Sequence, residues 1–320
     1  MLNKDTQIQF LLFDGPSAKL DGLNIARGWQ NLGYNVKWYF PRLLKGEMHA
    51  KPEYVFTVKP REDELLLKWK SQGAKLVYIF EDETLVPERR KMYDFVVASS
   101  FGWKRTAEQD FFGAPCYLVR DEQDYYTTKI HTPTVPNPAT LRNNLRIVTA
   151  GHMVNLKQHF NILSILEQVY TNITLVSPDI DRDTFPTVNF EKWTPRFDYF
   201  DGNHDRLMTE QFLKYDVAVV TQYGWGDRNS SRLRTFIYAG LPVVAVDSEN
   251  HRDLWLNGDS AKIFLVKEKR DWLEYLGVLE DHRVRQAIAD YNYEKVKQYA
   301  GIEKAAMTFI KAVEQYENTH

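Results

Sequence analysis

At 320 residues the chain is too long for one typical core and suits two domains of about 150 residues each. With 43% hydrophobic and 26% charged residues and a net charge of -2, its composition excludes a disordered or fibrous chain and gives no global nucleic-acid signature. Cys116 is its only cysteine, which excludes an internal disulfide and a thiolate metal site. No run of about 18 apolar residues occurs, and MLNKDTQIQF lacks the pattern of a signal peptide. A cytoplasmic chain without integral membrane association is the expectation.

From the N-terminus, strand-length apolar runs fall at IQFLLF (8–13), VKWYF (36–40), YVFTV (54–58), KLVYIF (75–80), DFVVA (94–98) and CYLV (116–119). Segments with helical spacing separate them, which is the pattern of βα units on a parallel sheet. Several runs are continuous rather than alternating, as in strands buried on both faces. Residues 121–144 hold three prolines and many turn formers, so 131–144 reads as a linker after a first domain at 1–130. The pattern restarts with LRIVTA (145–150), a helix near 157–170, ITLVS (173–177), VNFEKW (188–193), DVAVV (216–220), PVVAV (242–246) and KIFLV (262–266). Beyond residue 270 only helical spacing remains. We therefore expect an α/β chain with two Rossmann-like domains facing a central cleft, the second at 145–285, and C-terminal helices at 286–320 that return to the first domain.

In doubly wound sheets, ligands sit beyond the C-terminal strand edges. Two segments place chemistry there. KLVYIFEDETLVP ends a buried strand on Glu81, Asp82 and Glu83, a source of a general base. VVTQYGWGDRNSSRLRTFIYAGLPVVAVD places Ser230, Ser231 and Arg232 at a helix start, where unpaired backbone N–H groups, the helix dipole, hydroxyls and a guanidinium converge on an anion. The plain alternative is a helix capped by Asn229 and Ser230, with Arg232 on a surface carboxylate. No Gly-Lys-Ser/Thr phosphate loop, Gly-x-Ser-x-Gly elbow or His-Glu-x-x-His zinc helix occurs, and the histidines are scattered.

This second segment resembles the donor-site signature of GT-B glycosyltransferases related to glycogen synthase. Ala239, Gly240, Leu241, Pro242, Val243 and Val244 match its last element, Arg232 its basic position and Asp227 its first acidic position. Thr235 stands where the family has a glutamate that holds the donor ribose. RIVTAGHMVNLKQHFNIL resembles the family's diphosphate turn, with Gly151 at the turn, His152 where arginine is common and Lys157 at the diphosphate lysine. Trp193 falls where relatives hold the nucleotide base. In FDGPSAKLDGLNIARGWQNLGYNVKWYF, Gly15 and Gly22 match the glycine-containing first loop. Asp82 is similarly placed to the aspartate base of the T-even phage β-glucosyltransferase, which glucosylates hydroxymethylcytosine in DNA. That enzyme also has a Thr-Leu-Arg helix start comparable to Ser230, Ser231 and Arg232.

The resemblance implies transfer of a sugar from a UDP-linked donor to a hydroxyl acceptor, with no cofactor or metal required. The acceptor is either a surface glycan or small molecule, or phage-type modified DNA held by a basic stripe from Lys37, Arg42, Lys45 and Lys51. A nucleotide- or sugar-binding module without catalysis is the alternative that Thr235 leaves open.

Overall fold

The structure is a computed structural model and describes residues 2–13, 15, 18–81, 85–111, 113–122, 145–151, 160–177, 188–192, 211–221 and 231–320. These form two compact units, the first of residues up to 122 with 300–320 and the second of residues 145–221 and 231–299.

In the first unit, strands β1 (Ile8–Leu12), β2 (Val36–Phe40), β3 (Lys45–Gly46), β4 (Tyr54–Val58), β5 (Lys75–Phe80), β6 (Phe95–Ala98) and β7 (Cys116–Leu118) form one sheet. Its order is β3-β2-β1-β4-β5-β6-β7, parallel throughout except for the β2–β3 hairpin. Helices are α1 (Asn24–Asn31), α2 (Asp63–Ser71), α3 (Pro87–Arg90), α4 (Phe101–Asp110) and, from the far end of the chain, α10 (Ile302–Thr319). A π-helical turn at Ala18–Leu23 precedes α1.

Strand side chains alternate between faces, and both faces are covered. On one, Phe10, Phe56 and Phe95 meet Trp29 of α1 and Phe309 and Tyr316 of α10: Phe10–Phe56 centroids are 4.9 Å apart, Phe56–Phe309 6.1 Å and Phe95–Tyr316 4.6 Å. On the other, Val55, Tyr78, Phe80 and Val96 pack with Leu66 and Trp69 of α2, Ala107 of α4 and Phe111 just after it. The high aromatic content of this half is thus mostly core. Continuous apolar strands are what a sheet buried on both sides requires.

In the second unit, β8 (Ile147–Ala150), β9 (Ile173–Ser177), β10 (Asn189–Lys192), β11 (Val217–Val220), β12 (Val243–Val246) and β13 (Phe264–Val266) are all parallel, in the order β10-β9-β8-β11-β12-β13. Helix α5 (Phe160–Leu166) and helices α8 (Lys269–Val278) and α9 (His282–Tyr299) supply Leu163, Leu166, Trp272, Leu276 and Ile288 to a core with Ile147, Leu175, Val219 and Val244. Helix α6 (Ser231–Tyr238) packs on β11 and β12. A short helix, α7 (Glu249–Arg252), follows β12. At the sheet's N-terminal end, Asp216 accepts the Arg146 guanidinium in a fork, Nε to Oδ2 at 2.9 Å and Nη2 to Oδ1 at 2.8 Å, which joins the starts of β8 and β11.

Candidate nucleotide-sugar site

In the second sheet, the chain leaves β8 toward β9 on one side and β11 toward β12 on the other. The C-terminal ends of β8 and β11 are therefore its topological switch point, where open parallel sheets bind ligands. Gly151 lies there. Its amide donates to the Val176 carbonyl at 3.0 Å, which continues the β8–β9 ladder one residue past the strand. Its φ of +148° is one that L side chains rarely adopt, and a Cβ at Gly151 would sit 2.5 Å from Arg232 Nη2 and 2.8 Å from Cζ. The Arg232 guanidinium thus occupies the volume that a side chain at 151 would fill. Two residues singled out separately in the sequence are brought together, a cation against bare backbone.

Arg232 is the second residue of α6, so its charge adds to the positive end of the helix dipole. Thr235 is buried in the same helix and donates its hydroxyl to the Ser231 carbonyl at 3.0 Å. This is the back-bond by which threonine satisfies itself inside helices. The far end of α6 explains the Ala-Gly-Leu-Pro segment. Gly240 at φ +79° donates to Ile237 at 2.9 Å, and Leu241 donates to Phe236 at 3.0 Å, a Schellman stop. Pro242 then starts the turn into β12, and its carbonyl accepts from Ala218 of β11 at 3.0 Å. These residues fix α6 against the sheet and so fix Arg232.

At the end of β12, Ser248 caps α7 by accepting the His251 amide at 3.3 Å, and His251 Nδ1 meets the Val246 carbonyl at 2.7 Å. Arg234 is buried behind α6, with Nη1 3.5 Å from the Leu254 carbonyl. His251 was legible only as one of the scattered histidines, and Arg234 not at all. A buried arginine within a helix leaves no local motif.

In the first unit the corresponding switch point lies between β1 and β4. Gly15 beyond β1 meets only ordinary contacts with the Phe13 ring, at 3.6 Å. Gly22, by contrast, packs inside the π-helical turn, where a Cβ would come within 2.3 Å of Leu12 Cδ2. At the end of β5, Glu81 is nearly buried and accepts the Ser99 hydroxyl at 2.8 Å, beside Ser100, which caps α4. Cys116 packs at the edge of the core against β6 and α4, and burial pushes its thiol up to about 12.

Asp82, His152, Lys157, Trp193, Asp227 and Ser230 lie outside the described residues. Among the described residues, no group of His, Cys, Asp and Glu side chains is arranged to hold a metal ion, and no helix is long and apolar enough to cross a membrane.

No family model matches the chain, and no curated protein matches it in sequence. Solved structures match almost end to end. A glycosyltransferase from Rickettsia africae shares 11% identity, with 99% of each chain covered and a TM-score of 0.67. Sucrose-phosphate synthase from Thermosynechococcus elongatus shares 9% identity over 98% of this chain and 100% of that one, TM-score 0.62. Anabaena HepE, solved in complex with UDP and glucose, shares 14% identity over 96% and 99%, TM-score 0.61. At these identities the likeness is one of architecture: this chain has the GT-B fold of glycosyltransferases.

Proposed function

We propose that the protein moves a sugar from a nucleoside diphosphate sugar, UDP-linked, to a hydroxyl acceptor. The observation that carries this reading is the Arg232 guanidinium lying on Gly151 at the switch point of the second sheet, beside the start of α6. Anabaena HepE, of like architecture, is known in complexes with UDP and with UDP-glucose, which supports the choice of donor.

In this reading Ser230, Ser231 and Arg232 take the diphosphate with Gly151, His152 and Lys157, and Trp193 faces the base. Asp227 belongs to the loop beside the donor, and Gly15 to the loop that lets the transferred sugar approach. The acceptor oxygen attacks the anomeric carbon as its bond to the diphosphate breaks. Arg232, Lys157 and the helix end offset the charge that develops on the leaving diphosphate, so the chain requires no metal. Asp82 takes the acceptor proton in an inverting displacement. Thr235 donates to the Ser231 carbonyl and offers no carboxylate, so the ribose hydroxyls are held without a charge-assisted hydrogen bond from position 235.

A glycan or small-molecule acceptor is favoured over DNA. Of the basic residues that would line a duplex, Lys37 pairs with Glu47 at 3.1 Å and Arg42 turns onto the Phe13 ring. Turnover on such an acceptor should vary little with salt, whereas duplex binding falls steeply with it. Turnover of UDP-sugars by wild type and Arg232→Ala tests the central role. We expect a loss of about 100-fold or more in the variant, the scale of one removed charge-stabilising donor, and no loss on chelation with EDTA. Equal turnover by the two proteins would refute the assignment.

A further inference from the structure

Resting on that reading, we propose that Thr221 is a further residue of the donor site, its hydroxyl donating a hydrogen bond to the diphosphate. The register of β8 and β11 sets Val217 beside Ile147 and Ala218 beside Val148. Continued three residues, it brings Thr221 level with Gly151, on whose bare backbone the Arg232 guanidinium lies. The paired residues of these two central strands end at Val148 and Ala218, while β8 goes on pairing with β9 to Ala150 and β11 with β12 to Val220. Pairing between them thus stops before that of their neighbours, which leaves the sheet open at its switch point, where a ligand enters. Thr221, the first residue past β11, stands at that opening.

Packing alone does not account for this side chain. Thr221 is 2% exposed, and its Oγ1 has no hydrogen-bond partner among the described residues. A hydroxyl taken from water and left unpaired costs stability, and a valine of the same shape would fill the space without that cost. Each such group in a folded protein calls for a cause, and at a ligand edge a ligand that pairs with it supplies one. Diphosphate oxygens are charged acceptors, which make the stronger class of hydrogen bond. The hydroxyl is neutral, so it adds a contact close to Arg232 without adding repulsion. A second group provides the comparison. Thr149 Oγ1 is likewise buried with no partner among the described residues, but Thr149 lies inside β8, short of the ligand edge.

The test is calorimetric binding of UDP to the full chain, with the melting temperature of each ligand-free protein measured alongside. Thr221→Val should bind UDP about tenfold or more weakly than wild type, the scale of one hydrogen bond to a charged group, while melting at the same temperature or higher. Thr221→Ser, which keeps the hydroxyl, should bind close to wild type. Thr149→Val should match the stability gain and leave UDP affinity unchanged. A purely structural hydroxyl at 221 gives the reverse pattern in Thr221→Val, a lower melting temperature with affinity intact. That pattern, an equal loss of affinity in Thr149→Val, or an equal loss in Thr221→Ser overturns the inference. A wild type that binds no UDP refutes the donor reading and this inference together. One that binds UDP and loses nothing in Thr221→Val refutes only the inference.

Discussion

Residue 151 is where backbone and charge depend on each other most. Alanine there meets an unfavourable φ and displaces the Arg232 guanidinium from its seat. Strain of this kind costs about 1–3 kcal/mol locally. The larger effect should fall on the ligand: UDP affinity in Gly151→Ala should drop about tenfold or more while the global fold persists, as calorimetry and circular dichroism would read together. An unchanged affinity would show that Arg232 need not sit there. Cys116 presents the opposite case, a side chain without chemistry. With its thiol raised to about 12 by burial, the reactive thiolate is scarce near neutral pH. Iodoacetamide should label it slowly in the native protein and rapidly in denaturant. Fast native labelling would contradict that burial.

At the scale of elements, α10 is held on the first sheet by more than apolar contact. Gly28 of α1 lies so close to α10 that a Cβ there would be 2.3 Å from the Ile302 carbonyl. Backbone cannot move aside as a side-chain end can, so Gly28→Ala should destabilise the first unit by about 1–3 kcal/mol, as overpacking does. Near the other end, Glu317 accepts the Tyr54 hydroxyl at 2.7 Å and the Leu2 amide at 2.9 Å. Burial alone would raise its pKa, yet these donors hold it below the usual glutamate range. A depressed carboxylate stabilises the fold above its unfolded value and loses that contribution as pH falls through the folded one. The melting-temperature gap between wild type and Glu317→Gln should therefore be open at pH 7. It should close as pH falls below the ordinary glutamate value of about 4.3. A gap independent of pH would contradict the assignment.

Legibility in the sequence followed burial. VKWYF, YVFTV, KLVYIF and ITLVS coincide with β2, β4, β5 and β9; β4, and β5 after its first residue, are buried throughout, as strands covered on both faces are, whereas β2 is fully buried only at its two ends. KIFLV begins as a strand only at Phe264, and the two-residue β3 left no pattern, since short edge pairings bury little. The π-helical turn at Ala18–Leu23 was also unmarked, its residues being compatible with any helix. Gly151 and Arg232 were separately visible as a turn glycine and a helix-start cation. Their contact was not, because it depends on β8 and β11 being neighbours in space.

For the whole molecule, each of the two sheets has a switch point, and that of the second sheet carries Arg232. It holds the donor diphosphate in this account. Its central claim is the donor, and the most direct test is thermal melting of the wild-type chain with UDP, other nucleoside diphosphates and no ligand. A ligand at 100 times its Kd stabilises the folded state by about 2.7 kcal/mol. For a unit of this size that amounts to a rise of several degrees in Tm, at about 2–4 °C per kcal/mol. We predict that rise with UDP and its loss in Arg232→Ala; a Tm unmoved by any nucleoside diphosphate, or moved equally in the variant, would contradict the account.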